Sequence, residues 1–314
     1  MSQPDRRTAL ALLGSTALVA CSSPQTVSRD TPDPFEGGIG GTGIVGLLTD
    51  FGSLIVNGLR IELTNRTRIF DTFDEVDDSA LAPGQALTIY ATRNRDAMIA
   101  ERVQINHAVV GTLEQSASGY RVNGVSLEIE RNAPVRPTPG RRVAVSGLWA
   151  PDRLVVSRID PAGSGPDVVA GTLLGSSQGT MLDIGGAQLR GAVGGHQPGQ
   201  YTTVFGTGTA SGIEVTRLKT GRFAGATDLR QLSVEGYLEP TVANPGFRVA
   251  GLGHSFARDL RLAPLEGQRA VYFGRYTSLF RAQLGYVLPQ DYQSRRALLR
   301  RGYEGGFDGQ VLRL

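Results

Sequence analysis

The chain has 314 residues, and its 32 Lys and Arg against 29 Asp and Glu leave a formal net charge of +3, which argues against a generally basic surface for nucleic acid. Its single cysteine, Cys21, excludes a disulfide within the chain and any zinc or thiol-redox motif that needs several cysteines. The 42 glycines, with 7% aromatic and 19% charged residues, favour short, half-buried strands joined by many turns.

Residues 1–20 have the organisation of an export signal. Two adjacent arginines precede an apolar run at residues 9–20, which is too short to span a bilayer. The run ends in Leu18-Val19-Ala20-Cys21, which resembles the lipobox of bacterial lipoproteins. That resemblance implies removal of the signal before Cys21 and lipid attachment to its thiol. A chance cysteine beside an ordinary cleaved signal, or a buried free thiol, is the alternative.

Residues 21–38 are rich in Ser, Pro, Asp and Gly and have no apolar period, which predicts a flexible tether. Such a tether would hold the folded part about 20 to 50 Å from the bilayer. Ser22 stands where an aspartate would signal retention in the inner membrane of a Gram-negative cell, so we expect a lipid anchor in the outer membrane, facing the periplasm.

From residue 39 the sequence repeats itself four times. Each copy begins with an apolar strand that contains a glycine, at positions 46, 111, 171 and 236, so the spacings are 65, 60 and 65. We name the copies module 1 (39–107), module 2 (108–166), module 3 (167–230) and module 4 (231–288). Residues 289–314 form a basic C-terminal segment.

Turn signals recur at matching places in the modules. Asn57-Gly58 and Asn123-Gly124 predict type I′ hairpins, because Asn and Gly accept the two positive φ angles of that turn. A second turn follows, with its glycine at Gly84, Gly140, Gly199 and Gly267. Seven residues later stands a small residue, which predicts a bend or a close backbone approach; these residues are Ala91, Gly147, Gly206 and Gly274.

Eighteen residues after the turn glycine, three modules carry an arginine: Arg102, Arg158 and Arg217. Position 285, the fourth equivalent by this count, is a glycine. We interpret the arginines as rim residues that pair with a carboxylate or cover apolar surface, with ligand binding as the alternative.

About five short strands in 60 residues predict an all-β chain of tandem small five-stranded barrels, similar to the oligonucleotide/oligosaccharide-binding (OB) fold. β-Sandwiches are the alternative architecture. In module 1, Thr72 and Glu75 have the spacing of a capping box, which predicts one or two helical turns there.

The stretch from Gly41 to about Val103 resembles the bacterial domain of unknown function 5666 family. The resemblance lies in Gly43-Ile44-Val45-Gly46, in residues 51–58 (FGSLIVNG) and in Pro83-Gly84. It implies a small β module of a kind often found in exported or lipid-anchored proteins, and it implies no activity. The later modules look like diverged copies.

No catalytic residue, metal site or cofactor is predicted. The three histidines, His107, His196 and His254, fall in separate modules and are interpreted as surface or loop residues. The G-x-S-x-G spacing occurs at residues 175–179 (GSSQG), but the serines of this chain cluster in turns, so no nucleophile is predicted. The acidic cluster within residues 71–78 lacks the pattern of a calcium loop and is interpreted as a solvated helix start.

In the C-terminal segment, Ser294 is predicted to cap a helix over residues 295–301, which contains four arginines. We expect Leu298 and Leu299 to pack this helix onto the last barrel, with binding to anionic lipid or glycan as the alternative. The final residues, from Val311, are expected to add a strand to module 4.

These patterns predict an envelope lipoprotein that acts as a non-catalytic binding or assembly module, whose partners are the membrane, through Cys21, and an envelope protein or glycan. One alternative is a periplasmic saccharide- or peptide-binding protein, whose site would include Tyr120, Trp149 or Tyr201 beside loop arginines. The other is a cell-wall hydrolase, which would need acidic and histidine side chains to meet in one cleft.

Overall fold

The computed structural model describes residues 41–94, 97–175, 182–191, 198–223, 226, 228–241, 246–252, 265–277, 280–301 and 311–313. In those ranges the regular elements are 24 strands, the 3-10 helix Asp78–Ala80 and the α-helix α1 (Tyr292–Arg301). The all-β prediction is confirmed. Neither helix has the length and apolarity that crossing a bilayer requires.

Module 1 closes into a barrel. Its strands are β1 (Gly41–Asp50), β2 (Leu54–Val56), β3 (Leu59–Glu62), β4 (Arg68–Phe70), β5 (Glu75–Val76), β6 (Ala86–Asn94) and β7 (Ala97–Asn106). Antiparallel pairing joins β1 to β2, β2 to β3, β7 to β6 and β6 back to β1, while β3 pairs with β7 in parallel. The circuit of pairings returns to β1, so five strands enclose one core.

Modules 2 and 3 repeat this circuit with a first strand that is split in two. Module 2 consists of β8 (Val109–Thr112), β9 (Glu114–Ser116), β10 (Gly119–Val122), β11 (Val125–Ile129), β12 (Arg142–Trp149) and β13 (Leu154–Pro161). Module 3 consists of β14 (Asp167–Thr172), β15 (Leu174–Gly175), β16 (Leu182–Ile184), β17 (Ala187–Arg190), β18 (Tyr201–Thr209) and β19 (Gly212–Thr220). The parallel pair recurs as β11 with β13 and as β17 with β19.

Module 4 begins with the long strand β20 (Leu229–Thr241), two residues before the predicted boundary. It continues with β21 (Gly246–Val249), β22 (Arg269–Tyr276) and β23 (Phe280–Val287). The last strand, β24 (Val311–Arg313), pairs antiparallel with β23, which confirms the added strand.

First strands also join the modules to one another. β1 of module 1 pairs in parallel with β20 of module 4, and β8 of module 2 pairs antiparallel with β14 of module 3. The two resulting sheets have twelve strands each, one built from modules 1 and 4 and the other from modules 2 and 3.

The predicted hairpin turns are present. Asn57 and Gly58 have φ angles of 56° and 78°, and Asn123 and Gly124 have 50° and 82°. Each asparagine side chain lies over the glycine of its module's first strand: a Cβ added to Gly46 would come within 2.0 Å of Asn57 Oδ1. Only glycine leaves room for this amide, which donates from Nδ2 to the Val45 carbonyl at 3.0 Å.

The small residues seven positions after each turn glycine mark a β-bulge in every module. The register shifts fall between Tyr90 and Ala91, Ser146 and Gly147, Phe205 and Gly206, and Phe273 and Gly274. An added Cβ would lie 1.9 Å from a backbone oxygen of the partner strand at Gly206 and at Gly274. The predicted close backbone approach is confirmed.

The two predicted helix starts are wrong. In module 1 the helix is only the 3-10 turn Asp78–Ala80, with Asp77 as its N-cap. Thr72 instead hydrogen-bonds to His107, and Glu75 pairs with Arg68. The C-terminal helix begins at Tyr292, three residues before the predicted start. Its cap is Asp291, whose carboxylate accepts a hydrogen bond from the Ser294 backbone N–H at 2.9 Å, so Ser294 lies in the first turn and is not the cap.

Helix α1 also packs differently from the prediction. Leu298 and Leu299 join a core that includes Leu48 and Leu54 of module 1 as well as Phe273 of module 4. The helix therefore contacts the first barrel through β1 and β2, rather than the last barrel alone.

Candidate functional site

A cleft opens between module 1 and module 3. Its walls are the outer face of β6 and β7, the outer face of β18 and β19, and the segment that follows β19 from Gly221. It contains two adjoining cavities of about 220 and 40 Å³, which share Arg102, Gln104 and Arg222. We call it the inter-module cleft.

Strand alternation explains which side chains of module 1 line the cleft. Thr88 and Tyr90 on β6 stand opposite Gln104 and Arg102 on β7. Successive side chains of a strand point to opposite faces. The residues that alternate with them along the strands, Leu87, Ile89, Val103 and Ile105, are 0 to 1% exposed and fill the barrel. The same pattern that builds the core thus turns a polar, cationic face towards the cleft.

Arg102 lines the cleft and has no carboxylate of its own to pair with in the described part of the chain. Its guanidinium carbon lies 3.8 Å from the centre of the Phe70 ring, a cation–π contact. The negative charge of Glu75 acts to raise the pKa of Arg102, but Glu75 pairs with Arg68 at 2.7 Å. Burial, followed by the charge of Arg68, lowers the pKa of Arg102. Its positive charge is left largely uncompensated.

Arg222 is the second guanidinium of the cleft. It lies 3.9 Å from the centre of the Tyr201 ring and donates to Thr88 Oγ1 at 3.3 Å and to the Gly251 carbonyl at 2.9 Å. Its Nε is buried without a hydrogen-bond partner, and no carboxylate pairs with it among the described residues. Desolvation lowers the pKa of Arg222 because burial disfavours its charge.

The smaller cavity adds Lys219, Tyr201, Phe205 and His107. His107 lies in the loop between β7 and β8, but its side chain is buried at 9% exposure and its Nδ1 lies 3.1 Å from Thr72 Oγ1. Burial lowers the pKa of His107, so the ring is neutral near pH 7. Phe73, which is 38% exposed, meets Phe205 edge to face at 6.2 Å.

Tyr90 borders the larger cavity with its hydroxyl already engaged. The hydroxyl donates to the Asp228 carboxylate, and this bond, together with burial, raises the pKa of Tyr90 to about 12. Asp228 is thereby held by Tyr90. Glu101 is then the exposed carboxylate among the described lining residues of the larger cavity.

The three predicted rim arginines occupy one register position but have different surroundings. Arg102 stands opposite Tyr90, Arg158 opposite Ser146 and Arg217 opposite Phe205. Arg158 pairs with Asp160 at 2.7 Å, whereas Arg217 is exposed and lies 3.9 Å from the centre of the Phe205 ring. Of these arginines, Arg102 is the one that lines the inter-module cleft.

The strand pairing of module 4 identifies a residue other than Gly285 as the equivalent of these three arginines. In module 4, Phe273 pairs with Leu284, because the hairpin between β22 and β23 is one residue shorter. Leu284, rather than Gly285, therefore stands where the other modules have arginine.

Trp149 lies inside the molecule, at 7% exposure, and its indole N–H donates to the Ala170 carbonyl at 2.9 Å. Cβ atoms added to Gly185 of module 3 or Gly251 of module 4 would come within 2.0 and 2.3 Å of its ring. The ring fills space left by these glycines. Tyr201 lines the cleft, and Tyr120 lies on β10, away from it.

Cys21, His196 and His254 lie outside the described residues. Within the described ranges, no group of three or more His, Cys, Asp or Glu side chains is arranged to hold a metal ion.

Sequence reasoning missed a buried ionic network between modules. Arg269 bonds Glu235 at 2.7 Å and Glu130 at 2.5 Å, and Arg295 of α1 bonds the other oxygen of Glu130 at 2.5 Å. Burial lowers the pKa of Arg269, but the charges of Glu235 and Glu130 outweigh it and the net pKa is raised. Glu235 also accepts the Leu47 backbone N–H of module 1 at 3.0 Å.

A family model described as a domain of unknown function (DUF5666) matches residues 42–104, which is most of module 1 and about a fifth of the chain. The match confirms the resemblance noted for this stretch. No curated protein and no solved structure matches the chain.

Proposed function

We propose that this chain is a lipid-anchored protein of the bacterial cell envelope whose four modules form one non-catalytic binding body, with the inter-module cleft as its ligand site. The observation that carries the proposal is the pair of guanidiniums, Arg102 and Arg222, which lie on aromatic rings and have no carboxylate partner among the described residues. Uncompensated charge in a partly buried site is costly, so its presence favours a role in binding.

We also propose that the four modules are copies of one unit. In each, the first-strand glycine pairs with the residue three positions after the turn glycine: Gly46 with Leu87, Gly111 with Val143, Gly171 with Thr202 and Gly236 with Ala270. Shared register at four places, together with the shared bulge, supports duplication of a single barrel.

The anchor and the cleft would act together. Lipid on Cys21 and a tether over residues 21–38 would confine the body to within about 50 Å of the membrane, which raises its local concentration for a ligand of the envelope. We expect the lipid anchor to lie in the outer membrane and the four modules to lie in the periplasm.

A saccharide- or peptide-binding role is the second candidate, and Tyr201 beside Arg222 in the cleft favours it. The hydrolase alternative has less support. The carboxylates that influence His107 are Asp71 and Asp160, but Asp160 pairs with Arg158, and Asp71 accepts the backbone N–H groups of Phe73 and Asp74.

The anchor is tested by Cys21→Ser. We expect the variant to lose labelling by a fatty-acid analogue and to leave the membrane fraction, whereas Ser22→Ala, which keeps the thiol, should label as the wild type does. Unchanged labelling of Cys21→Ser would overturn the proposed anchor.

A further inference from the structure

We propose that the inter-module cleft binds an acidic saccharide, with Arg102 and Arg222 holding its phosphate or carboxylate group. This inference rests on the proposed function, because it takes the same cleft as the ligand site, and it develops the saccharide-binding candidate for that site.

Charge favours an anion. The described lining residues of the two cavities include the cations Arg102, Arg222 and Lys219 against the single carboxylate of Glu101. A guanidinium has five N–H donors. Arg222 uses two of its donors on neutral acceptors, Thr88 and Gly251, which leaves donors for a further acceptor.

Both guanidiniums are fixed in advance. The guanidinium carbon of each lies over an aromatic ring, 3.8 to 3.9 Å from the ring centre. Such stacking reduces the side-chain entropy that a ligand must otherwise remove, and the planar fork suits a phosphate or carboxylate.

The remaining groups favour a sugar over a bare anion. Gln104 donates its amide nitrogen to backbone carbonyls, including that of Ile105 at 3.1 Å, which leaves its side-chain carbonyl as an acceptor. Glu101 supplies a second acceptor for hydroxyl groups. The larger cavity, at about 220 Å³, is smaller than the roughly 300 to 1,000 Å³ of sites for drug-sized ligands, so it fits a single sugar residue.

The test is calorimetric titration of the full-length protein in detergent with glucose 6-phosphate and with glucuronate. We expect at least one to bind, and we expect Arg102→Gln and Arg222→Gln each to weaken it about 10- to 150-fold, the range of one charged hydrogen bond. Binding should also weaken as salt is raised. Arg121→Gln removes the same charge from an exposed residue of β10 outside the cleft and should change nothing.

Three results would overturn the inference: no binding of either acidic sugar, binding that both cleft variants leave unchanged, or equal binding of glucose. Inorganic phosphate that binds as tightly as glucose 6-phosphate would overturn the saccharide part. If Arg222→Gln fails to fold, Arg102→Gln remains as a test of the inference. Arg222→Lys is then measured as well: it keeps the positive charge but loses the stacking on Tyr201, so it should also weaken binding. A partner captured at the cleft without acidic-sugar binding would refute this ligand class and leave the binding role intact.

Discussion

Glu235 is a carboxylate whose side chain has no exposure to solvent, and it is stabilised from two sides. Arg269 donates to it twice, at 2.7 and 2.9 Å, and the Leu47 backbone N–H donates at 3.0 Å. Removing a carboxylate from water costs several kcal/mol, which such bonds must offset. Because these bonds require one position of the carboxylate, Glu235 fixes how modules 1 and 4 are placed against each other.

We predict that Glu235→Gln lowers the free energy of unfolding by about 3 to 5 kcal/mol, because it leaves part of the Arg269 charge buried and unpaired. Urea unfolding measures the change. Glu128→Gln is the matched control, since Glu128 pairs with Arg153 at the surface, where both side chains are more than 40% exposed. The control should cost less than about 1 kcal/mol. Equal effects of the two variants would contradict this assignment.

His107 provides a pH-dependent term. Its folded pKa lies below the ordinary value of 6.5 because of burial, so below that pH the unfolded chain binds a proton that the folded chain does not. The stabilising contribution is present above pH 6.5 and is lost as the pH falls towards the folded pKa. One proton changes stability by at most about 1.4 kcal/mol per pH unit.

We therefore predict that the wild type loses more stability than His107→Gln between pH 7.5 and pH 5.5, as measured by urea unfolding of both proteins. Glutamine keeps a polar group beside Thr72 and does not titrate. If the variant lost as much stability as the wild type over this interval, His107 would not be buried in its neutral form.

Among the strands, one β-bulge recurs in all four modules. It lies in the pairs β6 with β7, β12 with β13, β18 with β19 and β22 with β23. It brings the backbones so close that Gly206 faces the Glu214 carbonyl with no room for a side chain. Module 1 has Ala91 at this place, so a methyl group is the largest group seen there.

We predict that Gly206→Ala destabilises the protein by about 1 to 3 kcal/mol, because the added methyl overlaps a backbone oxygen that cannot move aside. Gly163→Ala is the control, since no atom lies within 4 Å of its added Cβ. It should stay within about 0.5 kcal/mol of the wild type in thermal or urea unfolding. A harmless Gly206→Ala would mean that the strands do not approach as described.

The elements that could be predicted from sequence are those set by local backbone chemistry. Asn-Gly turns need positive φ and a bulge needs a small residue, so both leave a readable pattern. The start of the helix in module 1 could not be predicted, because Thr72 bonds to His107, 35 residues away. Long-range partners have no local signature.

In the candidate site, too, local sequence features could be predicted and long-range contacts could not. Arg102 was detectable because its position repeats between modules, although the repeat could not distinguish it from Arg158, which is neutralised by Asp160. Arg222 has no repeated counterpart, and its role depends on Tyr201, Thr88 and Gly251, which the fold brings together from three modules. Trp149 was a candidate by residue type, and its burial follows from packing between modules.

At the scale of the whole molecule, the barrels act as one body because their contacts are backbone pairings, a buried ionic network and a shared core under α1. The cleft is a product of that assembly, since its walls come from modules 1 and 3 and Arg222 reaches module 4. A single isolated module would not contain it. If the modules arose by duplication, as we propose, their assembly has created a cleft that the single unit lacks.

Crosslinking in living cells tests whether the inter-module cleft holds the envelope partner that we propose for this protein. A photoreactive residue at position 203, which lines the cleft, is compared with one at position 163, where an added Cβ would meet no described atom within 4 Å. We predict a discrete adduct from position 203 that Arg102→Gln abolishes, and glycosidase or protease digestion will identify the adduct as glycan or protein. The same adduct from position 163, or an adduct that Arg102→Gln leaves unchanged, would contradict the proposed site.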